Sequence, residues 1–596
     1  MRSTTSYALE LLTLATILGS LPAVLGHGHD DDGGMDMDMG AEEPKLDPDS
    51  YPPTYFTHPE YATLIYAHIA LMVIGWVIML PTAVMLSIAR SRYTLALQFV
   101  FLLTNAIGIL VGLSYNAKTP DLYPNNAHHK LGWLVTWVVS AQVMVAVVGR
   151  VAGVVGRSGA QGHRKEEAQA FMPVSTEAMA EHERINDPMY SDPYRHSNDS
   201  GQGTEPNSES LRSSSLSTLA GQESPIELDG RRVQYDDEED LEFKPAEMLP
   251  YRKSRSFVAW AAGKVSDRAW RAVMLGYNLV DRTILILGYV TLCTGVITYA
   301  RFFEGHEIFS GLAHWIKGGI FFWYGVLTLG RWSGSFAELG WAWNVRPKQS
   351  SRKWRPTAEF VEGALIFTYG ATNIFLEHLG AADSSFSAQD LEHVSITVLF
   401  LGGGMLAMLV ESTRIRDLLN TTVTEAALSH AGHDYTDEER EALEAPKQYE
   451  FSVNPVPALV VLLLGIMMSS HTQQSMISSM VHKQWGNLLA GASFARGLTY
   501  VLLYLKPPRS ILPSRPPTEL LTAFALISGG TIFMASSGDT IKGMEHYDLD
   551  AMFFYTVTMG MVGLVMAWIV LLLAFKGWAV RIESGRSPKS WALSRV

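Results

Sequence analysis

The chain has 596 residues, 47% of them hydrophobic and only 18% charged, with a net charge of -13. That composition, broken into many separate apolar runs, excludes a set of soluble domains and points to a polytopic membrane protein whose first partner is the lipid bilayer. The acidic balance lies mostly in loops such as 236–240 and excludes nucleic acid as a partner; the single cysteine, Cys293, excludes a disulfide framework and a thiolate metal cage.

In chain order, Arg2 followed by an apolar stretch and then small residues predicts a signal peptide over 1–26. Residues 27–60 form an external tail. Eleven further apolar stretches are each long enough, at about 1.5 Å per residue, to cross roughly 30 Å of hydrocarbon. They fall at 62–88, 94–115, 131–150, 283–303, 308–330, 359–379, 392–411, 457–478, 485–505, 519–537 and 551–575. Lys and Arg concentrate in alternate loops: Arg90 and Arg92, then Arg346 to Arg355, Arg414 and Arg416, Lys506 to Arg515, and the last residues. By the positive-inside rule those loops and the tail at 581–596 are cytoplasmic, and the N-terminal tail is external or lumenal.

Residues 151–282 change to Ser, Asp, Glu, Asn and Pro with little to bury, which predicts a disordered cytoplasmic linker. It separates a three-helix portion, 61–150, from an eight-helix portion, 283–580. The expected fold is therefore all-α, a polytopic membrane helical bundle of eleven transmembrane helices.

With that topology, thirteen of the eighteen histidines lie outside or in the outer halves of helices. His68, near the outer end of the first helix, and His129, which opens the third, fall in one leaflet because the two helices run parallel. Facing imidazoles there suit both axial positions of a b-type haem, and His128 is an alternative to His129 one residue away. His314 and Lys317 share a face at i and i+3, and Arg496 lies midway along its span. Such intramembrane polar groups are candidates for a transport or proton role as much as for structural ion pairs.

His378, His393, His471, His482 and His546, with neighbouring carboxylates, lie at outer helix ends and together suit zinc, copper or iron. The tail reads His27, His29, then Asp30 to Asp32, then Met35, Met37 and Met39. Alternating thioethers suit Cu(I), and the tail is similar in composition to the external Met-rich tails of copper transporters. A flexible acidic solubilising tail explains the same composition.

Two resemblances follow from these residues. The run from His68 to Pro81, then Arg90, and His129-Lys130-Leu131-Gly132 with Gln142 resemble the helix openings of the cytochrome b561 superfamily, which implies a haem on His68 and His129 and transfer of one electron between a donor and an acceptor. The span 94–115 has no histidine, so a second haem of that family's kind is not implied. Gly311 to Phe321, Tyr324-Gly325, Leu329 to Trp332 and Gly340 to Asn344 resemble the signature of the Ytp-like family of fungal membrane proteins, which implies a place in the endomembrane system or at the cell surface. Function therefore divides between haem-linked electron transfer or metal handling on the non-cytoplasmic side, transport of metal ions or protons, and a cofactor-free membrane organiser using the linker as its arm.

Overall fold

The computed structural model describes residues 51–159, 267–305, 307–344, 356–379, 388–430, 446, 449, 451–470, 473, 475–508, 510 and 512–584. The signal peptide, the His/Met/Asp tail and most of the linker lie outside the described residues. Thirteen helices are described: α1 (Ala62–Ile88), α2 (Thr94–Asn116), α3 (Ala127–Gly159), α4 (Asp267–Ala300), α5 (Glu307–Ser333), α6 (Ala358–Leu379), α7 (Ala388–Glu411), α8 (Thr413–His430), α9 (Val456–Ser470), α10 (Met476–Leu505), α11 (Pro517–Ala535), α12 (Gly538–His546) and α13 (Ala551–Glu583). No strand occurs among the described residues. Residues 1–147 with 273–596 make one unit, and 148–272 a second, described only through the ends of α3 and α4.

A helix overlaps each of the eleven apolar stretches, although the one expected over 457–478 ends at Ser470. Eight are long and apolar enough to cross a membrane: α1 to α4, α7, α10, α11 and α13. The other three differ for visible reasons. α5 carries Lys317 and Arg331, α6 carries Glu359 and Glu362, and α9 is an apolar helix of only 15 residues. Exposed side chains along the eight are largely apolar, among them Leu110, Trp137 and Leu564, and face lipid.

The helix α4, beyond the linker, completes a four-helix group with α1 to α3. Trp76, Phe101, Val135, Val139 and Ile284 form its core, and Gly288 of α4 gives the Trp76 ring room where a Cβ would lie 2.9 Å from it. Trp76 donates to Asn105 Oδ1 at 2.9 Å, and Asn105 in turn donates to Thr136 Oγ1 at 3.1 Å. In α1 the turns widen to π geometry over Val73–Met79, just before Pro81, which has no N–H to give the Val77 carbonyl. Trp568 of α13 takes that carbonyl at 2.9 Å.

In the larger group α11 is central, with 67% of its most apolar stretch buried. It lies along α5 so closely that a Cβ on Gly530 would come within 2.5 Å of the Gly318 carbonyl, and it packs on α10 along its other side. Small residues allow this approach of backbones, and dispersion and polar contacts then hold helices together where lipid offers no hydrophobic advantage. Gly404 serves α7 in the same way against the Phe367 backbone of α6.

Aromatic residues knit the end of the bundle that carries the histidines. Tyr51 stacks on His546 at 4.5 Å, Phe56 meets Tyr299 and Tyr547, and Tyr123 donates its hydroxyl to the Phe302 carbonyl at 2.8 Å.

Candidate functional site

The histidine facing His68 is His128, and the two rings stand perpendicular with centroids 6.4 Å apart. His129, next along, is exposed, and its backbone N–H donates to Asn126 Oδ1 at 3.0 Å. Both facing imidazoles are anchored by a neighbouring helix. His68 Nδ1 lies 2.8 Å from the Gly108 carbonyl of α2, and His128 Nδ1 lies 3.1 Å from the Thr291 carbonyl of α4. A carbonyl can only accept, so each neutral ring carries its proton on Nδ1 and keeps the Nε2 lone pair for a ligand. That is the arrangement that orients a metal-binding histidine.

Glycines make the pocket for both rings. A Cβ at Gly112 would stand 2.7 Å from His68 Nδ1, and one at Gly295 would stand 3.1 Å from His128 Cε1. Gly132, one turn below His128 on α3, has no atom within 4 Å of a built Cβ and leaves open space there. Beside the site is a cavity of about 580 Å³, lined by Tyr123, Asn126, Thr294, Thr298 and Glu304 among others.

At the opposite end of the bundle, sequence reasoning found one member of a larger assembly. Arg496 of α10 binds Glu519 of α11 at 2.9 Å and Glu362 of α6 at 3.2 Å. Arg331 of α5 binds Glu359 at 2.7 Å and the same Glu362 at 3.1 Å, both on α6. Tyr324 accepts from Arg496 Nη1 at 2.6 Å and donates to Glu362 Oε2 at 2.9 Å, while Thr328 accepts from Arg496 Nη2. All five charged side chains are 5% exposed or less. Helix ends explain their placement: Glu359 and Glu519 occupy first turns and Arg331 a last turn, where the macrodipole favours each sign.

The remaining sequence candidates scatter or pair. His314 meets His482 with ring centroids 6.1 Å apart, each Nδ1 held at 2.8 Å by the carbonyl four residues before it. Lys317 is half-buried one turn from His314. His393 lies in the first turns of α7, and His546 stacks on Tyr51. His378 is in the last turn of α6, with its side chain outside the described ones. His471 and His27, His29, Met35, Met37 and Met39 are outside the described residues. Among the described residues no group of three or more His, Cys, Asp or Glu side chains is arranged to hold a metal ion.

Two family models match the chain. Residues 287–577 match "Protein YTP1-like, C-terminal", and residues 49–152 match a domain of unknown function, DUF2427. The chain is 33% identical over 524 residues to the uncharacterized membrane protein C3B8.06 of Schizosaccharomyces pombe, covering 86% of this chain and 94% of that one. It is 36% identical over 319 residues to the uncharacterized membrane protein YCR061W of Saccharomyces cerevisiae, 51% of this chain and 48% of that one. Protein YTP1 of the same yeast is 20% identical over 52% of this chain and 56% of its own. The chain belongs to the fungal YTP1-like family. No solved structure matches it.

In this YTP1-like chain the histidine pair joins both matched segments. His68 and His128 belong to the first, whereas Thr291 and Gly295, which seat the His128 ring, belong to the second. The ion cluster lies wholly within the second.

Proposed function

We propose that this YTP1-like protein binds a b-type haem at the histidine-bearing end of its four-helix group, with His68 and His128 as the two axial ligands. The observation that carries the reading is the pair of facing imidazoles whose Nδ1 atoms are both committed to helix carbonyls, which turns both Nε2 lone pairs to ligation. The residues fit the group in two further respects: Gly112 and Gly295 seat the rings, and the open space at Gly132 gives a flat macrocycle room below His128. Bound there, the haem supplies a one-electron carrier. The protein's part is to fix ring tautomer and spacing through Gly108 and Thr291 and to hold the site among apolar helices. The adjoining cavity, lined by Ile297, Phe303 and Leu312 as well as by Asn126, Thr298 and Glu304, gives a small electron donor or acceptor a place to approach.

The test is the reduced-minus-oxidised absorption spectrum of the purified full-length protein and of three variants. The expected result is a b-type band in the wild type and in His129→Ala, and its loss in His68→Ala and in His128→Ala. A colourless, folded wild-type protein, or a band that survives His128→Ala, overturns the assignment.

A further inference from the structure

The ion cluster at the other end is unbalanced. Three carboxylates, Glu359, Glu362 and Glu519, meet two guanidinium groups, Arg331 and Arg496. Among the described residues no third cation joins these contacts. α5 contributes Arg331 and the neutral Tyr324, α10 contributes Arg496 and the neutral Tyr500, and α11 contributes Glu519. α7 contributes another carboxylate, Glu411, which lies near Glu359 and has Arg416 of α8 as its own neighbouring cation. A net charge held away from water is costly, and a buried carboxyl group answers that cost by taking up a proton.

The geometry says which group takes it. Each arginine has a carboxylate of its own, Arg331 with Glu359 at 2.7 Å and Arg496 with Glu519 at 2.9 Å. Glu362 alone is shared between the two arginines, at the longer distances of 3.1 and 3.2 Å. We propose that Glu362 is a proton-binding site, carrying one exchangeable proton against the fixed pairs Arg331–Glu359 and Arg496–Glu519. On the α7 side, Glu411 accepts from Thr357 and Ser452 at 2.7 and 2.8 Å.

Binding has a structural consequence. Neutral Glu362 leaves two separate ion pairs, one joining α5 to α6 and the other α10 to α11. Ionised Glu362 ties all four helices through both guanidinium groups. The C-terminal helices thus have two states of connection set by one proton, the element that a proton-coupled carrier requires. The inference stands apart from the histidine pair and does not depend on haem.

Infrared spectroscopy of the full-length protein in lipid at neutral pH tests it. The expected result is the carbonyl stretch of a protonated carboxylic acid that shifts in D2O, is lost in Glu362→Gln and is retained in Glu411→Gln. Thermal unfolding gives a second reading. Glu362→Gln mimics the protonated group and keeps the wild-type midpoint, while Glu359→Gln and Glu519→Gln each take an arginine's own partner and lower it. A wild-type spectrum without that band, a band that persists in Glu362→Gln, or an equal loss of stability in all three variants overturns the proposal.

Discussion

Gly112 and Gly108 on α2 define where His68 can stand, since the ring lies against the first and is bonded to the carbonyl of the second. Gly112→Ala places a methyl group 2.7 Å from Nδ1, which must then leave the Gly108 carbonyl. Loss of such an orienting bond typically weakens metal binding about 10–100-fold. Haem titration of the purified variant should show a loss in that range, and unchanged affinity would mean that the bond does not orient a ligand. Near the same end, burial raises the phenols of Tyr51, Tyr55 and Tyr123 above the ordinary value of 10.0. The folded protein favours their neutral forms, so this stability is complete below pH 10 and is lost as pH rises through the raised values. An alkaline absorbance titration should show late-ionising tyrosinate, with Tyr123→Phe removing part of that late amplitude; full ionisation near pH 10 would count against a tight cap. His68 was legible in the sequence, whereas the choice between His128 and His129 rested on one residue of helix register. The partners of Arg496 were not legible. Glu362 is at the wrong depth for Lys317 but at the right depth for Arg496, and only knowledge of which helices are neighbours reveals it.

At the scale of elements, the apolar stretches were readable because lipid demands continuous hydrophobic runs; a helix overlaps each of the eleven, and eight of those helices are long and apolar enough to cross a membrane. Their ends were less readable: α4 begins at Asp267, well before the apolar run at 283, because a helix continues into polar sequence once its backbone is hydrogen-bonded. α8 and α12 were missed for the same reason, being helices of mixed polarity without a membrane signature. Pro81 leaves the Val77 carbonyl without its helical donor, but nothing in the sequence named Trp568 as the donor that takes it. Trp568→Phe removes that donor and leaves a backbone acceptor unsatisfied, at a cost of about 1–3 kcal/mol. Pro81→Ala restores an N–H that can bond the carbonyl within α1. In a double-mutant cycle read by thermal unfolding, Trp568→Phe should therefore cost less in the Pro81→Ala background than in the wild type. Equal costs in both backgrounds would show that Trp568 contributes by packing alone.

For the whole molecule, the two sites divide the bundle by polarity. His68, His128, His314 and His482 lie near the helix ends on one side, and Arg331, Glu359, Glu362 and Glu519 near those on the other. α13 joins the groups along their length, through Trp568 to α1 and through Glu583, which accepts from Ser91 at 2.9 Å beside Arg90 and Arg92. The ion-cluster end also carries Lys506 and Arg515. Basic residues at membrane borders set orientation, so this end should face the cytoplasm and the histidines the lumen or exterior. Single cysteines introduced in a Cys293→Ala background read this directly. Ala117→Cys, at the histidine end, should react with a membrane-impermeant maleimide in sealed vesicles whose cytoplasmic face is turned inward, and Ser510→Cys only after permeabilisation. The opposite pattern would turn the histidine pair toward the cytoplasm and the ion cluster toward the lumenal or external side, against the placement that the basic residues predict.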